Sequence, residues 1–173
     1  MKYKYIIGID PGNKGGVVVL DAKKETVAKY ATLNGTFDDL DTIMSLVLES
    51  DQTAAYIEHT EPVKFGKVVM PVVYWRQGFN YANAVTGCTI GNVNSINLVG
   101  PKAWQAELNK SLKYPHFHYD REIKRVSIAN CEQRFGRLFA NKKSGKPLDG
   151  LADAANIAYY GLVQESQKGV KND

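Results

Sequence analysis

Hydrophobic and polar positions follow two periods along this chain, and the switches between them mark its elements. The densest apolar run comes first. Tyr5, Ile6, Ile7 and Ile9 are interrupted only by Gly8 and end at Asp10-Pro11-Gly12. So short a run, apolar on both alternating faces, predicts a strand in the middle of a covered sheet. Pro-Gly stops its ladder and turns the backbone. Gly15-Gly16 lead into Val17-Val18-Val19-Leu20-Asp21, and a polar turn at 22–25 leads on to a third strand over 26–33. The three make an antiparallel meander. Asn34-Gly35-Thr36 breaks it. Thr36 or Asp38 is then placed to cap a helix whose apolar positions Leu40, Ile43, Met44, Val47 and Leu48 fall at helical spacing. A fourth strand, Thr53 to Glu58, again ends in a carboxylate.

Residues 61–70 carry Pro, Gly and two lysines and read as a loop. Pro71 suits the first turn of a helix running to about Thr86. That helix shows two apolar stripes, Val72, Trp75, Phe79, Ala82 and Tyr74, Gly78, Tyr81, Val85. One stripe is expected to face the sheet; the other faces a partner or is covered within the chain. A fifth strand spans 94–99, a short helix 103–108, and Asp120 caps a helix to about Phe135. Lys142, Lys143 and Lys146 sit in a basic loop before a last helix over 148–164, and the tail from Lys168 is expected to fray. A three-strand meander, a helix and a parallel fourth strand make an α/β arrangement of ribonuclease H type. The expectation is a five-stranded mixed sheet flanked by helices, in a single domain over residues 1–173.

Bulk properties narrow the class without naming it. The chain is 44% hydrophobic and 23% charged, with a net charge of +4. That mild excess is compatible with a polyanionic partner but does not establish one. Cys88 and Cys131 follow no metal or redox spacing and read as reduced thiols. No apolar run approaches the ~18 residues of a membrane span, and the first strand begins with no signal peptide before it. A soluble, cytoplasmic protein is expected.

The chemistry lies in the acids. Asp149 and Asp153 are four residues apart, so they stack on one helix face, with Leu151, Ala155, Ala158 and Leu162 forming a core stripe opposite. Like charges so placed repel unless something positive sits between them. A helix N-terminus also favours anions, which accounts for Asp149 better than for Asp153. With Asp10 and Glu58 they make four carboxylates at element ends. Asp10 alone is equally a turn residue, with Gly8 leaving open space beside it. Phosphodiester hydrolysis by two divalent ions needs such a cluster, and Mg²⁺ takes oxygen ligands without Cys or His.

Ile7-Gly8-Ile9-Asp10-Pro11-Gly12, Tyr56-Ile57-Glu58 and Asp149-Gly150-Leu151-Ala152-Asp153-Ala154 resemble the three signatures of RuvC-type Holliday junction resolvases. More narrowly, the chain resembles the short RuvC-like endonucleases of bacteriophages, which would place the protein in a bacterial host's cytoplasm. The gap between the last two acids is four, as in mitochondrial junction resolvases. The resemblance implies a ribonuclease H-like fold and a homodimer that makes paired nicks in four-way DNA. It also implies two Mg²⁺ ions per site, with Mn²⁺ as a substitute, held by Asp10, Glu58, Asp149 and Asp153. Phe65 lies where the family carries an aromatic that engages bases near the crossover. Lys64 and Lys67 flank it, and Lys102, Lys124, Lys142, Lys143 and Lys146 are candidate phosphate contacts. A loop phenylalanine folded onto its own domain and a solvated basic loop are the plainer alternatives.

His59 follows Glu58 but is expected on the opposite strand face, outside the site; His116 and His118 have no evident metal partner. A two-fold dimer suits a two-fold junction, and the helix from Pro71 is the candidate interface, with Tyr81 the residue whose polar substitution should give a monomer. Other readings stay open: a nuclease for RNA–DNA hybrid, or a catalytically silent junction-binding protein. An actin-like ATPase would need a second domain, for which the chain is too short.

Overall fold

The computed structural model describes residues 2–47, 52–59, 71–112, 120–136, 139–140 and 144–170. Its strands are β1 (Tyr5–Asp10), β2 (Gly16–Asp21), β3 (Thr26–Thr32), β4 (Thr53–Glu58) and β5 (Ser95–Val99). Its helices are α1 (Asp38–Val47), α2 (Pro71–Ile90), α3 (Pro101–Leu112), α4 (Asp120–Phe135) and α5 (Asp149–Val170). The sheet runs in the order β3-β2-β1-β4-β5. β1, β2 and β3 pair antiparallel, while β1–β4 and β4–β5 are parallel. This is the five-stranded mixed sheet the sequence predicts, with its most apolar strand at the centre.

Alternation along the strands divides the core into two layers. Ile7, Ile9, Val17, Val19, Ala55 and Ile57 face one side, where Ile43 and Val47 of α1 and Ala84 and Cys88 of α2 pack on them. On the other face, Ile6, Ala54 and Tyr56 meet Ile157 and Leu162 of α5, and Val18 and Leu20 meet Leu151 and Ala155. Asp10 continues the Ile6–Gly8 face of β1, and Glu58 the Ala54–Tyr56 face of β4. Both acids therefore lie on the side that α5 covers.

Glycines set how closely α5 lies. A Cβ on Gly8 would stand 2.1 Å from the carbonyl oxygen of Ala154 and 2.3 Å from the amide nitrogen of Ala158. The space expected beside Asp10 is thus filled by helix backbone. A Cβ on Gly150 would stand 1.9 Å from the Lys14 carbonyl, so the first turn of α5 abuts the loop after β1. α5 is also buried more widely than one stripe: Ala152, Ala154 and Ile157 are covered along with Leu151, Ala155, Ala158 and Leu162.

Several boundaries differ from expectation. α2 and α3 each run four residues further, to Ile90 and Leu112, and α5 continues to Val170, so Lys168 is helical. Asp39, in the first turn of α1, ties the preceding loop to the helix, its carboxylate accepting from the amides of Asn34, Gly35 and Thr36. α2 buries Asn80, Asn83, Ala84, Gly87 and Cys88, and Tyr81 and Val85 of its second stripe pack partly buried beside them on the core, so the inward face only overlaps the expected stripe. Cys88 and Cys131 are free and buried. Among the described residues no helix is long and apolar enough to cross a membrane.

Candidate active site

Three elements bring the acids together. Ile9 pairs with Ile57 in the parallel β1–β4 ladder, so Asp10 and Glu58 end adjacent strands side by side. α5, drawn against β1 at Gly8 and against the β1–β2 loop at Gly150, presents Asp149 and Asp153 from its first two turns.

Their electrostatics show the proximity. Burial, then the charges of Glu58 and Asp149, push the Asp10 carboxyl up from 3.8 to about 7. Burial, then Asp10 and Asp149, push Asp153 up from 3.8 to about 7. Glu58 is raised by burial and by Asp153. Asp149 moves the other way, held down chiefly by its hydrogen bond from Lys124. Lys124 Nζ lies 2.8 Å from Asp149 Oδ2, and Lys124 itself is raised by that partner.

The other three acids each give one oxygen to a donor of the chain. Gly12 N donates to Asp10 Oδ1 at 2.9 Å, and Trp104 Nε1 to Glu58 Oε1 at 3.1 Å. Ser127 Oγ donates to Asp153 Oδ1. As placed, no three His, Cys, Asp or Glu side chains among the described residues stand close enough together to hold a metal ion. The donor chemistry nonetheless fits a hard divalent cation: oxygen ligands only, half-buried and mutually repelling, with Lys124 paired to Asp149.

A cleft of about 530 Å³ opens beside the strand ends, lined by Asp10, Asn13, Glu58, His59, Arg76 and Tyr81 among others. It takes in two of the four acids; Asp149 and Asp153 lie outside its lining. His59 is turned toward α2, its ring 5.2 Å from that of Tyr81, as its strand parity predicts, yet it shares the cleft with the acids. Lys102 is exposed on α3, and Lys146 is exposed just before α5. Lys124, expected to meet phosphate, is engaged with Asp149 in the protein alone. Lys64, Phe65, Lys67, Lys142, Lys143, His116 and His118 lie outside the described residues.

Sequence reasoning missed Trp104, Ser127 and Arg76. Trp104 carried a signal, since a buried indole N–H needs an acceptor. Ser127 and Arg76 carried none, because only the packing of α4 on α5 and of α2 beside the sheet brings them here.

No family model matches the sequence, and no curated protein matches it. Solved structures do. Thermus thermophilus RuvC in complex with Holliday junction substrate superposes with a TM-score of 0.63 at 13% identity, over 94% of this chain and 96% of that one. A second Thermus thermophilus RuvC structure gives 0.57 at 17% identity, over 94% and 96%. The yeast mitochondrial Holliday junction resolvase gives 0.54 at 14%, over 99% of this chain and 84% of that one. The chain has the ribonuclease H-like fold of the RuvC-type Holliday junction resolvases.

Proposed function

We propose that the chain is a single-domain, metal-dependent endodeoxyribonuclease that nicks four-way junctions and related branched DNA. One observation carries the reading. Four carboxylates from three distant segments are electrostatic neighbours at the strand ends of a fold shared with a junction-bound resolvase.

Asp10, Glu58, Asp149 and Asp153 would hold Mg²⁺, or Mn²⁺ in its place, as a pair of ions. Such ions, when bound, activate water and steady the leaving oxygen. The chain's own groups fix the frame for that chemistry. Gly12, Trp104 and Ser127 each hold one carboxylate oxygen in place. Lys124 offsets the charge of Asp149, and on this reading it also contacts phosphate. Arg76 supplies a cation at the cleft. On this reading Lys64, Lys67, Lys102, Lys142, Lys143 and Lys146 contact phosphates, and Phe65 stacks on a base, worth ~1–3 kcal/mol.

A homodimer belongs to the same proposal, since two symmetric nicks need two equivalent sites. The surface that supports it is the first half of α2. Phe37 is 75% and Trp75 66% exposed, and both rings pack on Phe79, an aromatic cluster facing solvent. Tyr81 is partly buried against the core, so it is the poorer probe of an interface.

The test is a substrate panel. With Mg²⁺, the purified chain should nick a labelled four-way junction near its crossover in preference to linear duplex and RNA–DNA hybrid. Cutting confined to the hybrid would replace the reading with a ribonuclease, and tight junction binding without any cutting would replace it with a silent binder.

A further inference from the structure

α4 packs on α5 through polar side chains, of which only the Ser127 hydroxyl has a part in the proposed reaction. Ser127 and Asn156 are both fully buried. Asn156 Nδ2 donates to the Ser127 carbonyl oxygen at 2.9 Å and to Ser127 Oγ at 2.8 Å. A backbone carbonyl only accepts, so the amide nitrogen, and not its oxygen, must face it. That fixes the orientation of Asn156. Ser127 Oγ therefore accepts a hydrogen bond from Asn156 and donates its own hydrogen to Asp153 Oδ1. Asn156 Oδ1 is left buried with no hydrogen-bond partner among the described residues. Leaving a buried acceptor unpaired costs free energy that an apolar residue of the same size would avoid, and such orphans call for an explanation.

We infer that Asn156 and Ser127 form a positioning relay for Asp153. The relay commits Asp153 Oδ1 to the protein and reserves Oδ2 for a divalent cation. It rests on the reading of Asp153 as a metal-holding group. Asn156 lies three residues beyond Asp153 on the same helix face, so α5 carries both the acid and the group that orients its donor. Ser127 likewise lies three residues beyond Lys124, so one face of α4 serves both acids of α5. Neither Ser127 nor Asn156 touches the reacting atoms; each acts through Asp153.

The experiment compares Ser127→Ala, Asn156→Leu, the double variant and Asp153→Asn in the full-length chain. Mn²⁺ is titrated without DNA and read as the rise in Tm, alongside urea midpoints in EDTA and junction binding in Ca²⁺. Outer partners of metal-holding groups typically change affinity by 10–100-fold. Ser127→Ala is expected to raise the Mn²⁺ midpoint by about that factor with junction binding retained. Asn156→Leu should shift the midpoint the same way, and the double variant no further than the larger single shift. Ser127→Thr, which restores the hydroxyl, should recover most of the loss.

A change in urea midpoint with no change in Mn²⁺ midpoint would make the network purely structural. Additive shifts would break the link from Asn156 through Ser127. If Ser127→Ala does not fold, Asn156→Leu against Asp153→Asn carries the same comparison. Should Asp153→Asn leave Mn²⁺ binding untouched, the metal site itself is wrong and the relay goes with it. A loss in Asp153→Asn with no effect in the other variants overturns the relay alone.

Discussion

Gly8 of β1 and Ala154 of α5 meet so closely that a Cβ on the glycine would lie 2.1 Å from the Ala154 carbonyl oxygen. The neighbours in the way are helix backbone, which cannot swing aside as a side chain can. This contact sets the depth of α5, and with it the distance from Asp153 to Asp10. Gly8→Ala is therefore expected to cost roughly 3 kcal/mol, the upper end for forcing a methyl into a packed core. Nicking should fall further than the folded fraction does. Urea unfolding with activity per folded molecule checks this; wild-type stability would mean that α5 sits less tightly.

Charge at the acids should oppose folding when no cation is bound. The folded carboxyls of Asp10 and Asp153 titrate near 7 against 3.8 for an unperturbed group. Between those values the folded state binds more protons than the unfolded, so these groups favour folding at low pH and their contribution is lost as pH rises through about 7. In EDTA, Asp10→Asn should be more stable than wild type at pH 8, with the gap closing toward pH 4. A gain of 1 kcal/mol corresponds to about 2–4 °C in Tm for a chain of this size. Saturating Mn²⁺ should reverse the order. Melting curves across pH decide it, and a pH-independent gap would contradict the burial of Asp10.

Trp104 has two tasks, filling the core and donating to Glu58. Trp104→Phe keeps most of the packing and removes the donor. A hydrogen bond to a charged group contributes ~1.5–3 kcal/mol, so a loss near that size is expected. The indole N–H also lowers the pKa of Glu58, so its removal should move the acidic limb of the nicking pH profile upward. An unmoved limb would separate Trp104 from the site.

The aromatic cluster on α2 makes a prediction about assembly. Trp75 is 66% exposed and stacks on Phe79 with ring centroids 5.4 Å apart. Trp75→Glu should halve the mass seen by sedimentation while leaving stability within ~0.5 kcal/mol, as for an exposed position. A dimer that survives the substitution would move the interface elsewhere.

Much of this architecture is legible in the sequence because its strands are short apolar runs with abrupt polar ends. Asp10 and Glu58 could be placed at strand ends, and Asp149 and Asp153 on one helix face, from spacing alone. α2 was harder, since its buried face is Asn80, Asn83, Ala84, Gly87 and Cys88, small and amide groups that hydrophobicity does not flag. Gly8 misled for a related reason: a missing side chain reads as space, whereas here a helix backbone occupies it. The side-chain donors to Glu58 and Asp153 come from α3 and α4, far away in sequence, and only tertiary packing assigns Trp104 to Glu58 and Ser127 to Asp153.

The most direct measurement is a paired assay of Asp10→Asn on a four-way junction, with binding followed in Ca²⁺ and cutting in Mg²⁺. Junction affinity should stay within about threefold of wild type while nicking drops by two orders of magnitude or more, as expected when a group acting on developing charge is removed. Nicking at the wild-type rate would show that the carboxylate at the end of β1 takes no part in cutting the phosphodiester.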